Sequence, residues 1–405
     1  MAFRIGRTLP PAASPIYLRD IVSGIAGLFR GSKAVTRFEG ELKKYFGVEH
    51  CFTVSSGKAA LSVILQSLKA MHPDRDEVLI PAFTCYSVPS AIIRAGLRIR
   101  LCDVDAETFD FDFKGLEKII SEHGARLLCI LPVHLFGIPA DVDRIRNLVE
   151  GREVVIVEDA AQAMGGESGG KKLGTLGDVG FFSLGRGKAL STVEGGIIIT
   201  RRDDIADNLA GAVGALGEYG ALEKARLLLY AAALVVLLRP SLFWLPKSLP
   251  FLRLGETIYA PDFPMRKMSA FQAGLAHGWE RKLHGLKRVR SGKMHDFLER
   301  LATRFPWLDA GRPPDLLRLP LRIDSANRRA DILRASEASG LGLAAAYPDS
   351  VDRIPELKAH FSSFHYPTAK KNAERLLTLP LHKYLTGDDI DRIAELLRSE
   401  EWPIP

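Results

Sequence analysis

The sequence predicts an α/β protein, with a large domain built on a mostly parallel sheet and a smaller C-terminal α/β domain. Three observations predict it. Between residues 57 and 200, amphipathic helix patterns alternate with short continuous apolar runs, the mark of strands covered on both faces by crossover helices. A long helix pattern follows at 268–301, and a further strand-and-helix set closes the chain. The length of 405 residues, 47% hydrophobic and 25% charged, suits two or three globular domains with a large core.

The elements follow in order. "KAALSVILQSLKAM" (58–71) reads as an amphipathic helix and "EVLIPAF" (77–83) as a buried strand. "SVPSAIIRAG" (87–96) is a helix stopped at Gly96, since glycine adopts the left-handed backbone that ends a helix. "RIRLCDVD" (98–105), "LLCILPV" (127–133), "EVVIVED" (153–159), "VGFFSL" (179–184) and "GIIIT" (196–200) are strands. Apolar residues three and four apart make 268–301 one long amphipathic helix linking the domains. "LLRLPLRI" (316–323) is a strand of the small domain, and "GDDIDRIAELLRSE" (387–400) is a final helix with acidic residues in its first turn. The organisation is an N-terminal arm (1–30), a large domain (31–265) with an apolar insertion at about 210–260, and a linking helix with the small domain (266–405).

The net charge of +7 is modest and spread along the chain. With no zinc-finger spacing, aromatic RNA-binding signature or basic tail, it argues against a nucleic-acid partner. Cys51, Cys85, Cys102 and Cys129 form no C-x-x-C pair, and three of them lie in apolar runs. They read as reduced thiols of a cytoplasmic protein, and the N-terminus has no apolar core for a signal peptide.

"LLLYAAALVVLL" (227–238) stands apart. Twelve apolar residues fall short of the about 20 needed to cross a bilayer, so a buried or partner-covered helix is the first reading. The second is peripheral contact of residues 227–253 with the inner membrane surface. There Arg226, Arg239, Lys247 and Arg253 flank the apolar run and Phe243 and Trp244 suit an interface.

In parallel sheets ligands gather at the carboxyl ends of strands, where Thr84, His134, Asp159 and Ser183 fall. Lys188, in "FFSLGRGKALSTVEGG" (181–196), sits among glycines and apolar residues with no acid nearby in sequence. Partial desolvation there favours the neutral amine, the nucleophile for a Schiff base. Asp159 closes an apolar strand in "VEDAAQAMGG" (157–166). It can pair with a pyridinium nitrogen or cap a helix. Gln162 follows one helical turn later, on the same side. In "VSSGKAAL" (54–61) a strand runs through Gly57 into a helix, whose first N–H groups make an anion site.

Two motifs fail. A Walker A loop needs Gly, four residues, then Gly-Lys and Ser or Thr. Phe52 and Ala59 occupy those places around Gly57-Lys58, and Phe182 and Ala189 around Gly187-Lys188. "GESGG" (166–170) matches the G-x-S-x-G hydrolase pattern at Ser168 but lacks the strand before and helix after, so it reads as a turn.

Together "SSGKAAL", "VLIPAFTCYSVPSAIIRAGLRIRLCDVDAETFDFD", "PVHLFGIPADVDRI", the 157–200 block, "MSAFQAG" and "LLTLPLHKYLTGDDI" resemble the DegT/DnrJ/StrS family of pyridoxal-phosphate-dependent sugar aminotransferases, of fold type I. The resemblance implies pyridoxal 5'-phosphate as cofactor. It makes Lys188 the Schiff-base and proton-shuttling lysine and Asp159 the partner of the pyridinium nitrogen. Gln162 would lie against the ring, and Ser183, Gly57 and the residue after it would hold the phosphate. The chain departs from the pattern in places. Lys58 stands where the family has threonine, and its ammonium can still reach phosphate. Cys85 stands at the ring-stacking aromatic, which leaves Tyr86 as the neighbouring candidate. No asparagine precedes Met268 to reach a neighbouring subunit's cofactor, which leaves Arg266 or Lys267. A glycine run at 185–187 replaces the family's proline. Members with histidine at the lysine position are dehydratases, and Lys188 stands against that here.

The implied reaction moves an amino group from a donor, glutamate, to a keto sugar linked to a nucleoside diphosphate, in amino-sugar and polysaccharide biosynthesis, by a homodimer. Against it stand a cofactor-binding regulator or sugar lyase of the same fold, and a membrane-associated scaffold for glycan assembly.

Overall fold

The computed structural model describes residues 5–249, 255, 257–301, 305, 314–362 and 364–398. Twelve strands are formed among them: β1 (His50–Val54), β2 (Glu77–Pro81), β3 (Arg98–Cys102), β4 (Leu127–Ile130), β5 (Val155–Asp159), β6 (Glu167–Ser168), β7 (Lys171–Lys172), β8 (Val179–Ser183), β9 (Gly196–Thr200), β10 (Arg318–Arg322), β11 (Ala344–Ala345) and β12 (Leu376–Pro380). The helices are α1 (Leu18–Arg30), α2 (Ser32–Phe46), α3 (Gly57–Met71), α4 (Ser87–Arg94), α5 (Phe113–His123), α6 (Val142–Leu148), α7 (Asp203–Gly214), α8 (Ala221–Leu237), α9 (Trp244–Lys247), α10 (Ala270–Leu275), α11 (Trp279–Leu301), α12 (Ala326–Ser339), α13 (Pro367–Arg375) and α14 (Gly387–Arg398).

The large sheet has the order β1-β9-β8-β5-β4-β2-β3. From β8 to β3 all neighbours are parallel, whereas β9 runs antiparallel to both β8 and β1. β2, β4, β5 and β9 are buried at every position, which is why they read in the sequence as unbroken apolar runs rather than alternating ones. Side chains cap the connecting helices: Ser56 accepts from the Ala59 N–H (3.1 Å), Asp112 caps α5, and Asp141 accepts from the Arg144 N–H (3.0 Å). Gly96, at φ +72°, ends the segment after α4 as expected.

The small domain pairs β10 and β11 antiparallel to β12 and covers that sheet with α12, α13 and α14. The arm before α1 ties the domains together. The Leu9 N–H donates to the Gly340 carbonyl (2.9 Å), the Thr8 N–H to Pro240 (2.8 Å), and His382 Nε2 to the Pro10 carbonyl (2.8 Å).

The expected helix over 268–301 is two helices. A turn at Ala276–Gly278 separates α10 from α11, with Gly278 at φ +68°; apolar spacing persists across the break because both helices face one core. α10 starts at a Ser269/Gln272 capping box and packs closely on α1. A Cβ on Gly27 would stand 2.3 Å from the Ala270 carbonyl oxygen, and one on Gly274 would stand 2.4 Å from that of Ser23. Several expected strands also end one to three residues early, where the chain turns into site loops.

The apolar run at 227–238 forms most of α8, but not as a buried helix. Only Leu227 and Ala231 are buried, while Leu229 is 69% and Val236 is 47% exposed. No helix of the described residues is long and apolar enough to cross a membrane. Arg253, one of the flanking cations, lies outside the described residues.

Candidate active site

The sheet topology builds the site. β5 ends at Asp159, and its parallel neighbour β8 ends at Ser183. β8 must reverse to pair antiparallel with β9, so residues 184–195 loop back over the carboxyl ends of the parallel strands and carry Lys188 there. The Leu184 N–H donates to Gly195 (2.8 Å) and the Thr192 N–H to Leu184 (3.0 Å), closing the base of the loop. Gly187, at φ +73°, supplies the left-handed turn just before the lysine. Three outside contacts fix this loop. Ser14 of the arm donates its hydroxyl to the Lys188 carbonyl. Arg290 of α11 donates through Nη2 to the Ala189 carbonyl (2.8 Å). Tyr219 bonds Glu194 (2.6 Å).

A cavity of about 180 Å³ opens here. Lys188, Asp159, Gln162, Ser183, Gly57 and Lys58 line it, so six of the seven residues singled out in the sequence meet in one place. Tyr86 does not line it. It is buried, and its hydroxyl donates to the Asp349 carbonyl at 3.2 Å, so the residue presented to the cavity is Cys85. His134 is also no cavity residue. It is fully buried, accepts the Ala140 N–H at Nδ1 (3.0 Å) and donates from Nε2 to Glu158 (2.8 Å). Arg266 lies beside Glu223 (3.6 Å), and its backbone bonds Ser55.

The electrostatics suit an amine that works uncharged. Burial pushes the Lys188 ammonium below the usual lysine range. Cys85 and Asp159 oppose that shift, and the positive Arg318 adds to it. The Lys188 amine makes no hydrogen bond to a described residue. Burial also pushes the Asp159 carboxyl up, against the Ala161 N–H that donates to Oδ1 (2.9 Å). Lys58 is lowered by burial, with its ammonium 4.7 Å from the centre of the Phe263 ring.

The residues fit pyridoxal phosphate. The Gly57 and Lys58 N–H groups at the start of α3 have no acceptor among the described residues. A Cβ at Gly57 would stand 2.8 Å from that of Ser183, so only glycine keeps this cradle open. Thr84, which also lines the cavity, has a buried hydroxyl with no partner. Unpaired donors, an unpaired amine and a buried carboxylate lining one cavity are what an anionic pyridine aldehyde would satisfy.

Sequence reasoning missed the small domain's share. Tyr347 is buried and accepts from Gln162 Nε2 at 2.8 Å. Arg318, the first residue of β10, acts electrostatically on both Tyr347 and Lys188. Only Arg318's place as a lone cation in the apolar run "LLRLPL" could have marked it.

Comparison with known proteins gives the chain its relatives. The chain is 28% identical over 394 residues, 94% of each protein, to the UDP-N-acetyl-3-dehydro-alpha-D-glucosamine 3-aminotransferase of Acidithiobacillus ferrooxidans. It is 36% identical over 172 residues, 42% of this chain and 45% of the other, to the GDP-perosamine synthase of Caulobacter vibrioides. The sugar aminotransferase CalS13 of Micromonospora echinospora superposes with a TM-score of 0.76 at 23% identity, covering 97% of this chain and 100% of that one. The fold is therefore that of the fold type I pyridoxal-phosphate enzymes. The DegT/DnrJ/EryC1/StrS aminotransferase family model matches residues 23–225 and 281–398. The chain belongs to that family, as a pyridoxal-phosphate-dependent aminotransferase.

Proposed function

We propose that the protein transfers an amino group from glutamate to a nucleotide-linked keto sugar, for amino-sugar and polysaccharide biosynthesis. One observation carries the reading: the unpaired Lys188 amine faces the same cavity as Asp159, Gln162 and the free N–H groups of α3. The Acidithiobacillus relative, named for a nucleotide keto sugar and aligned end to end, supports the acceptor class.

When bound, the cofactor supplies an electron sink. Lys188 would hold it, then take the proton from the amine-bearing carbon of the donor and return one to the former carbonyl carbon of the sugar. Asp159 would hold the ring nitrogen in its protonated form. Gln162, itself held by Tyr347, would lie beside the ring. Ser183, Gly57 and Lys58 would bind the phosphate, and the Cys85 side would face the ring's open surface. A lysine at 188 disfavours the dehydratase reading.

The surface supports two finer readings. The exposed apolar stripe of α1, with Leu18 70% and Phe29 88% exposed, is read as the contact between two copies in a homodimer. Most of the exposed face of α8, from Leu229 on, belongs to the stretch the family model leaves unmatched. With Arg226, Arg239, Phe243 and Trp244 it is read as peripheral membrane contact. Sedimentation of wild type and Phe29→Glu, and flotation of Leu229→Glu with anionic vesicles, test them.

For the reaction, Lys188→Ala is compared with wild type under excess pyridoxal phosphate. The expected result is a visible absorbance band, bleached by glutamate with release of 2-oxoglutarate, in wild type and not in the variant. A colourless wild type, or glutamate turnover that survives the substitution, would overturn the assignment.

A further inference from the structure

Glu158 and Asp159 are consecutive residues of β5, so their side chains leave the strand on opposite faces. Asp159 lines the cavity, whereas Glu158 is fully buried behind it. Glu158 Oε2 accepts from His134 Nε2 (2.8 Å) and from the Gly174 N–H (2.9 Å), and Oε1 accepts from the Gly177 N–H (2.5 Å). His134 Nδ1 accepts the Ala140 N–H (3.0 Å), which leaves the neutral ring with its proton on Nε2. Three N–H donors, and no cation among the described residues, thus hold this carboxylate in the core.

Beyond the end of β4, residues 132–134 continue the parallel ladder alongside Asp159. The Asp159 N–H donates to the Pro132 carbonyl (2.9 Å), and the Asp159 carbonyl accepts from the His134 N–H (3.0 Å). Glu158 pins that segment through the His134 ring. Through Gly174 and Gly177 it also holds the turn that leads into β8 and Ser183. One side chain therefore ties the end of β5 to both neighbouring strands. On the cavity side, Asp159 Oδ1 accepts from the Ala161 N–H (2.9 Å), and Oδ2 has no donor among the described residues. Apolar side chains of similar volume often hold a core as well as a buried charged network does, so packing alone does not account for the pair.

We propose that Glu158 and His134 are positioning residues of the amino transfer: they aim Asp159 Oδ2 at the ring nitrogen of the cofactor and set a second negative charge behind it. The proposal rests on the role read for Asp159 and adds what gives that carboxylate its aim. An acceptor held at one oxygen by Ala161, on a backbone fixed from both sides, has its other oxygen left to meet a donor. A charge one residue behind it, out of reach of water, is weakly screened and favours the protonated ring nitrogen.

The test measures, by equilibrium dialysis, binding of pyridoxal 5'-phosphate and of its 1-deaza analogue, in which C–H replaces the ring nitrogen. The ratio of the two affinities reads the bond to that nitrogen. Wild type should favour pyridoxal phosphate at least about 10-fold, the scale of a hydrogen bond to a charged group, and Asp159→Asn should lose the preference. Glu158→Gln and His134→Leu should shrink it roughly 3- to 10-fold. His134→Gln, whose amide can still donate to Glu158, should stay near wild type. The glutamate half-reaction of the loaded protein should slow in the same order. Unfolding midpoints report that each variant is folded. A pair with only a structural role would weaken both ligands equally. An unchanged ratio in Glu158→Gln and His134→Leu, or loss of the fold in both, would therefore overturn the proposal, and the effect of Asp159→Asn would leave the role of Asp159 intact. A wild type indifferent to the ring nitrogen would overturn that role and this proposal together.

Discussion

Arg290 donates from Nη2 to the carbonyl oxygen of Ala189 at 2.8 Å, so a helix of the interdomain linker holds the backbone one residue past Lys188. Arg290 is buried, and burial pushes its guanidinium down to about 10, still charged at neutral pH. The position of Lys188 is thus set by α11 and by Ser14 of the arm as well as by its own loop.

Arg290→Met should leave the Ala189 carbonyl buried without a donor. The expected cost is about 1–3 kcal/mol in urea unfolding. In the loaded enzyme, kcat should fall more than KM rises, because the amine is displaced while the substrate surfaces remain. Arg290→Lys should recover part of the stability.

Asp159 gives a pH test with a definite sign. Burial raises its carboxyl pKa in the cofactor-free fold. Its contribution to stability is then full below the unfolded aspartate pKa and lost as pH rises through the folded value. In cofactor-free protein, the stability of wild type relative to Asp159→Asn should therefore be higher on the acid side of that window than at pH 7.5. Asp159→Asn should remove this dependence and raise the neutral-pH midpoint by about 2–4 °C, the shift that about 1 kcal/mol makes in a domain of this class. On the role proposed for Asp159 at the ring nitrogen, the same variant should lose at least about 100-fold in amino transfer.

Gly57→Ala tests the phosphate cradle. The added methyl would stand 2.8 Å from the Ser183 Cβ and 3.2 Å from its hydroxyl. Either β8 or the start of α3 must move. Pyridoxal phosphate affinity, read by equilibrium dialysis, should fall about 10-fold or more, while pyridoxal without its phosphate should be affected far less. Equal losses for both would place the strain elsewhere.

Gly27→Ala tests the crossing of α1 and α10. Its Cβ would lie 2.3 Å from the Ala270 carbonyl oxygen, which is backbone and cannot rotate away. Overpacking of this kind costs about 1–3 kcal/mol. The loss should appear as a lower urea midpoint, with the absorbance of the loaded site unchanged in shape. Gly40→Ala, with nothing within 4 Å of its Cβ, is the matched control and should be neutral or slightly stabilising.

The parallel sheet and the residues on its carboxyl ends could be read directly from the chain. A strand buried on both faces must be apolar throughout, and the polar residue that ends it, such as Asp159 or Ser183, marks where the chain leaves the core. Gly57 was legible for the same reason, as glycine between a strand and a capped helix. Residue types alone therefore determined the sheet, the cavity-facing Asp159, Gln162 and Ser183, and a lysine that would be desolvated. Tertiary structure decided the rest. It turned Tyr86 towards Asp349 and presented Cys85 instead, gave His134 to Glu158, broke the linking helix at Gly278, and left α8 largely uncovered. It also brought Tyr347 to Gln162 from 185 residues away. Strand and helix periodicity records only which side of an element is covered; which distant side chain does the covering depends on the packing of the two domains, and no local spacing encodes it.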